Sequence, residues 1–363
     1  MTTFYLIRHA EAEGNLYRRM HGQLDSMVTP NGMKQIRALA ERFADISVDA
    51  CYTSDLIRTR TTAQAICVSK GLSAQAEPAF RELEVGEWED LTFGYLNTFC
   101  PDQMDRFGKD PAHWQVEGSE PFSRYTKRFI EAMTKLGETH PGKTVAIFSH
   151  AAVMRGVIMT LFPGEKILPS DNTCVSKLEY QSGRYTLVFQ NDNSHLTAEI
   201  STAARNRAMG AGGSRTDHLF WFREGASALP GLRVPETGII FTVMAGDRPA
   251  GVLSLSEQDQ DTGVLNYMGL LPHWRGRGRS VQLLGQAVFV FRRMQKNVLI
   301  FQKPADGSLD SLCRLMELEA DGTGVCTMDL IPQVRQFRLC TAGEPADGQR
   351  PPTMPVPEPV PLD

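Results

Sequence analysis

The sequence predicts an α/β protein: an N-terminal three-layer α/β/α sandwich on a mostly parallel sheet, followed by a second, C-terminal α/β unit. Three observations predict it. Up to about residue 195, short apolar runs alternate with segments whose apolar residues recur at helical spacing; such alternation implies strands joined by crossover helices, with both sheet faces covered. Between Thr197 and Gly213 the composition turns to Ala, Gly and Arg, with GAGG at 210–213, which marks a boundary. Beyond it several strands precede the next helix. A length of 363 residues also fits two domains better than one.

The elements follow in order. FYLI (4–7) reads as a short buried strand, TPNGMKQIRALAERFADI (29–46) as a helix with Asn31 as its cap, and DACYTS (49–54) as a second strand. DLIRTRTTAQAICVSKG (55–71) is a helix ending at Gly71. The helix at 122–138 leads into KTVAIFSH (143–150), a strand, and the helix AAVMRGVIMTLF (151–162). TCVSKLEY and RYTLVFQN flank the turn QSGR as a hairpin. In the second part, 238–256 reads as a hairpin around GDRP, 262–271 and 297–302 as strands, and 281–295 and 308–320 as helices. Proline dominates the end of the chain and predicts disorder there.

Composition narrows the function classes. Hydrophobic content of 42% and charged content of 22% are ordinary for a soluble globular chain. A net charge of -4 gives no general electrostatic reason to bind nucleic acid or an anionic membrane. No stretch approaches the roughly 18 apolar residues of a membrane span, and the first residues lack a secretory signal. The cysteines are seven, widely spaced, with no C-x-x-C. Neither a disulfide framework nor a zinc knuckle is expected, and a reducing cytoplasm fits.

The chemistry gathers at predicted strand ends. In an open α/β sheet, ligands bind beyond the carboxyl ends of the strands. Arg8 and His9 sit at that end of the first strand. His150 sits at the same end of KTVAIFSH, just before a helix N-terminus that favours an anion. Arg58, in the first turn of its helix, opposes the helix dipole and so serves something else. Two arginines and two histidines converge on one edge, and a phosphoryl group suits the guanidinium fork. One decoy is rejected: GETHPGKT (137–144) has the P-loop spacing but joins a helix to a strand, the reverse of a P-loop.

Residues 1–195 resemble the histidine phosphatase superfamily, the phosphoglycerate-mutase-like group. LIRHAEAEGN, GQLDSMVTPNG, YTSDLIRTRTTA, RELEVGEWE, EGSEPF and IFSHAAVMR carry the resemblance, in the family's order. It implies that His9 attacks phosphorus, that Arg8, Arg58 and His150 hold the phosphoryl oxygens, and that Glu82 is the general acid and then the base, partly protonated near neutral pH. It also implies that Asn15, His21, Gln23, Ala151 and Asn172 lie around the substrate, and that no metal or other cofactor is needed. Ala10 stands where the family usually has Gly. Only about sixty residues separate Glu82 from the IFSH strand, which looks more like the phosphatase branch than the mutases with their longer insertion. Within that stretch Trp88, Phe93, Tyr95, Phe99, Phe107 and Trp114 read equally as an apolar lid or as core.

YMGLLPHWRGRGRS resembles the acyl-CoA-binding segment of the GNAT acetyltransferases. Leu270, Arg275, Gly276, Arg277, Gly278, Arg279 and Ser280 would then contact acetyl-CoA. Arg275 and Gly278 match the family's loop and Ser280 departs from it; the later region lacks the family's Asn and aromatic acid. The boundaries expected are a phosphatase-like domain at 1–197, a linker at 198–213, a GNAT-like domain at 214–341 and a Pro-rich tail at 342–363. The functional expectation is a phosphomonoester hydrolase for a small phosphorylated metabolite, fused to an acyl-CoA-binding unit. Two alternatives stand beside it: phosphoglycerate-mutase-type phosphotransfer, and an N-acetyltransferase or CoA sensor whose first domain only recognises phosphate.

Overall fold

The computed structural model describes residues 1–210, 218–225, 229–233 and 237–337. The tail expected to be disordered and the GAGG stretch beyond Gly210 lie outside the described residues.

The first sheet contains β1 (Thr2–Arg8), β2 (Ala50–Thr53), β3 (Ala74–Ala76), β4 (Thr144–Ser149), β5 (Val175–Gln181) and β6 (Arg184–Asp192), in the order β3-β2-β4-β1-β5-β6. β3, β2, β4 and β1 run parallel; β5 and β6 close the edge antiparallel. The helices of this unit are α1 (Glu13–Tyr17), α2 (Pro30–Arg42), α3 (Ile57–Lys70), α4 (Phe93–Phe99), α5 (Pro101–Lys109), α6 (Phe122–Thr139) and α7 (Ala151–Leu161). Alternation along the strands splits the core into two layers. Phe4, Leu6, Val145 and Ile147 pack with Phe129 and Val157 of α6 and α7, while Ile7, Ala146 and Phe148 pack with Ile36 and Ile66 of α2 and α3. Each fully buried side chain of this size contributes roughly 1.5–3 kcal/mol.

Local chemistry explains the boundaries. The cap of α2 is Thr29, not Asn31: its hydroxyl accepts the Gly32 amide, and Pro30 fills the first helical position. Asn31 donates instead to Glu11 and to the Ile200 carbonyl. Gly71 ends α3 at φ 64°. The β5–β6 turn places Ser182 and Gly183 at φ 49° and 81°, the two positive values that a tight two-residue hairpin requires.

The second unit opens with α8 (Thr202–Gly210). Its sheet contains β7 (Trp221–Glu224), β8 (Ile239–Ala245), β9 (Arg248–Glu257), β10 (Thr262–Leu270), β11 (Val298–Gln302) and β12 (Val325–Asp329), in the order β12-β11-β10-β9-β8-β7. All neighbours are antiparallel except β10 and β11, which are joined by α9 (Val281–Arg293); α10 (Asp310–Met316) follows β11. β10 pairs with β11 only over Thr262–Val264, and a register shift lies between Leu265 and Tyr267 on its β9 side.

The stretch read as a linker is therefore structured over 202–210. Thr202 and Arg205 on α8 both hold the Glu11 carboxylate of the first unit. The units interlock further: Leu16 and Tyr17 of α1 enter the second core, and Phe337 returns to the first.

Candidate active site

The site forms where β1 and β4 end. The His9 amide donates to the Ser149 carbonyl (2.9 Å), which ties the two strand ends together. His9 Nδ1 lies 2.7 Å from the Ala10 carbonyl, which can only accept, so Nδ1 carries the proton and Nε2 keeps its lone pair. His150 has the opposite tautomer. Its Nδ1 accepts from Arg58 Nε (3.2 Å), so the proton sits on Nε2, a buried atom without a protein partner among the described residues. The two rings are 5.3 Å apart. Burial first, then the Arg58 charge, holds both imidazoles well below their ordinary pKa, so both are neutral at pH 7.

Each Arg58 nitrogen donates one bond, the two Nη groups to the carbonyls of Leu24 (2.8 Å) and Gly22 (2.7 Å), which leaves a second N–H on each Nη. Arg8 donates to the Ser170 carbonyl through Nη1 (2.8 Å), and its Nε is buried with no partner among the described residues. Glu82 caps α7: Oε1 accepts the amides of Leu83 and Val153 (3.0 and 2.8 Å), and Oε2 accepts that of Ala152 (3.1 Å). A cavity of about 80 Å³ is lined by His9, Asn15, His21, Arg58 and Glu82, with Phe107 at one wall.

The other residues expected around the substrate divide. His21 reaches the cavity, its Nε2 3.5 Å from Asp90. Ala151 begins α7 beside His150. Gln23 does not line the cavity; it donates to the Glu82 carbonyl (3.1 Å) and accepts from Arg81. Asn172 lies behind His9, donating to its carbonyl (3.0 Å) and to Asn15 (3.1 Å). Both brace the site from one layer out. Ala10 does not adopt a positive φ, is fully buried and donates its amide to Thr62, so its methyl group fits unstrained.

From the sequence, Glu89 stands only as a competitor of Glu82 in the acidic loop; its place beside the Arg58 loop is not foreseen there. Its Oε1 accepts the Leu24 amide (2.7 Å), propping the loop whose carbonyls hold Arg58. Burial pushes its carboxyl up to about 7. Its place in the acidic loop was the available signal, but Glu82, Glu84 and Glu87 compete with it there. The lid reading of the aromatics is also resolved. Trp88 and Trp114 are core, stacked with Phe107. Tyr95 and Phe99 meet Trp221 of the second unit.

In the second unit, the loop before α9 turns through positive φ at Gly276, Arg277 and Gly278. Arg275 folds back, donating to the Leu270 carbonyl (2.7 Å). Arg279, expected to meet phosphate, is buried over Trp274 and donates to the Met209 carbonyl. Arg275 and Arg277 are the exposed cations of the turn, Arg277 with no hydrogen bond among the described residues of the kind that ties Arg275 back, and Ser280 is half-buried at the start of α9. No three His, Cys, Asp or Glu among the described residues are grouped to hold a metal ion. No helix there is long and apolar enough to cross a membrane.

An α/β/α sandwich that gathers two neutral histidines and two arginines at one sheet edge, with His9 and Arg58 lining a small cavity and His150 and Arg8 beside them, defines a histidine-dependent, phosphate-handling enzyme. Residues 4–193 match the model of the histidine phosphatase superfamily (branch 1), and the chain belongs to that superfamily. It is similar to the uncharacterized phosphatase PhoE of Bacillus subtilis, 27% identical over 55% of this chain and 100% of that protein. The probable phosphoglycerate mutase GpmB of Serratia proteamaculans is 31% identical over 50% of this chain and 86% of its own. Phosphoserine phosphatase 1 of Hydrogenobacter thermophilus is 26% identical over 54% and 95%. Among solved structures, Bacillus stearothermophilus YhfR overlays with a TM-score of 0.51 at 27% identity, covering 54% of this chain and 99% of that one.

Proposed function

We propose that this chain hydrolyses phosphomonoesters of small metabolites through a phosphohistidine at His9, without a metal. The observation that carries the reading is the pair of opposed tautomers: a free lone pair on His9 Nε2 beside an unspent N–H on His150 Nε2. In the first step Nε2 of His9 attacks phosphorus, an N–P bond forms, and the P–O bond to the alcohol breaks. The leaving oxygen takes a proton from Glu82. Oε2 is the atom for this role, because Oε1 already accepts two amides and Oε2 one. The phosphorylated imidazole carries positive charge, which the Ala10 carbonyl stabilises through Nδ1–H. In the second step Glu82 takes a proton from water, the water oxygen attacks phosphorus, and the N–P bond breaks to free phosphate and neutral His9. Arg8, Arg58 and His150 stabilise the phosphoryl oxygens in both transfers.

Hydrolysis is favoured over mutase-type transfer by the short segment between Glu82 and β4. The test is phosphate release from a panel of monoesters in EDTA, comparing wild type with His9→Ala. Release that survives EDTA and vanishes in the variant is expected; loss on chelation, or full activity in the variant, overturns the mechanism.

For the second unit we infer acyl-CoA binding in a GNAT-like fold. Supporting it, β10 and β11 pair over three residues only, and a glycine-rich turn leads from the end of β10 into α9. Such a turn offers backbone amides to a pyrophosphate. Acetyl-CoA at 1 mM is expected to raise the melting midpoint; an unchanged midpoint counts against binding. Release of free CoA on adding amines would separate transfer from sensing.

A further inference from the structure

The segment that builds one wall of the phosphatase cavity has its other side in the second unit. On α1, Gly14 and Asn15 line the cavity, while Leu16 and Tyr17 belong to the second core. Glu13, at the start of α1, is almost fully buried and takes both Nη groups of Arg292 on α9 (2.8 and 3.0 Å). Two residues past α1, Arg19 donates to Gln286 (3.0 Å), and its guanidinium lies 4.1 Å from the centre of the Phe289 ring; both partners are on α9. The same arginine donates to Asp90 (2.6 Å), whose carboxylate also faces His21 at the rim. The His21 ring in turn lies against Gly14, where a methyl group would come within 2.6 Å of it. A continuous set of buried polar and packing contacts thus runs from α9 to the groups that line the cavity.

We propose that α9 positions the rim of the phosphatase cavity and so sets its affinity for the phosphoester. The proposal rests on the phosphatase reading for its substrate. Arg292, Gln286 and Phe289 are positioning residues: they touch no reacting atom and act through Glu13 and Arg19. Rim groups contact the ester in its ground and transition states alike, so displacing them raises KM and spares kcat.

A wedge tests this without removing any contact group. At Gly285, on α9, a methyl group would stand 2.4 Å from the Tyr17 Cβ. Alanine favours the helix itself, so Gly285→Ala acts by pushing α1 away from α9. With p-nitrophenyl phosphate, KM is expected to rise about tenfold, with kcat within threefold of wild type. Gln286→Ala is expected to shift KM in the same direction. Gly322→Ala, where a methyl group meets nothing within 4 Å, should leave both constants unchanged. A folded Gly285→Ala protein with wild-type KM overturns the proposal; should that variant not fold, Gln286→Ala decides by the same reading. Should wild type hydrolyse nothing, the phosphatase reading falls by itself. Titration with inorganic phosphate then decides positioning: about tenfold weaker binding in the variant supports it, and equal binding refutes it.

Discussion

Arg58→Met separates charge from burial at the centre of the site. Methionine keeps much of the volume and removes the cation with its three donated bonds, to His150, Leu24 and Gly22. Losing one preorganised cation from a phosphoryl-transfer site costs about 10²–10³ in kcat. The variant also has a signature that simple damage would not produce. His9 and His150 are kept neutral first by burial and next by the Arg58 charge. Methionine leaves the burial and removes the charge, so both imidazoles take up a proton at higher pH than before. The acid limb of the kcat/KM profile is therefore expected to move toward neutral pH while kcat falls. The assay is phosphate release from p-nitrophenyl phosphate between pH 4.5 and 8, with melting midpoints taken in parallel. A folded variant with kcat within threefold of wild type, or with an unmoved acid limb, refutes the reasoning.

Four other outcomes are expected. Because the folded pKa of His150 is lowered, its contribution to stability is full above the ordinary value of 6.5 and is lost as pH falls below it; in urea titrations from pH 7 to 5, His150→Gln should lose less stability than wild type, and equal slopes would contradict this. Glu89 has the opposite sign: its pKa is raised to about 7, so stability present below its ordinary value of 4.5 is lost as pH rises through 7. Glu89→Gln should accordingly gain most on wild type at pH 8, as read from melting midpoints at pH 5 and 8. Phe337→Ala should cost about 3 kcal/mol or more, with faster hydrogen exchange in α3, because the ring fills the first core and the Phe337 amide donates to Gln64 (2.7 Å); undisturbed exchange would show that Phe337 does not stabilise α3. Ala10→Gly should lower stability by roughly 1 kcal/mol and leave turnover within threefold, whereas a large gain in turnover would mark the Ala10 methyl group as an obstruction.

The sequence by itself determined the layered α/β organisation and the edge at which the chemistry gathers. Apolar alternation at helical and strand spacing is a local property, and Arg8, His9 and His150 follow directly from where two buried strands stop. Arg58 was legible because a cation in the first turn of a helix is unfavourable unless something else uses it. Only the tertiary structure decided which groups face the cavity and which brace it. Gln23, Asn172 and Arg279 are polar residues in motifs, and nothing local tells whether such a side chain meets a ligand or a backbone carbonyl far away in sequence. The helices α1 and α8 also escaped the sequence, since five and nine residues without a clear apolar stripe gain too little from local propensity to announce themselves. They are fixed by contacts across the two units: Leu16 and Tyr17 in the second core, and Thr202 and Arg205 on Glu11. The His9 tautomer rests on the carbonyl of its own neighbour Ala10, whereas that of His150 depends on a guanidinium that only the folded chain brings to it.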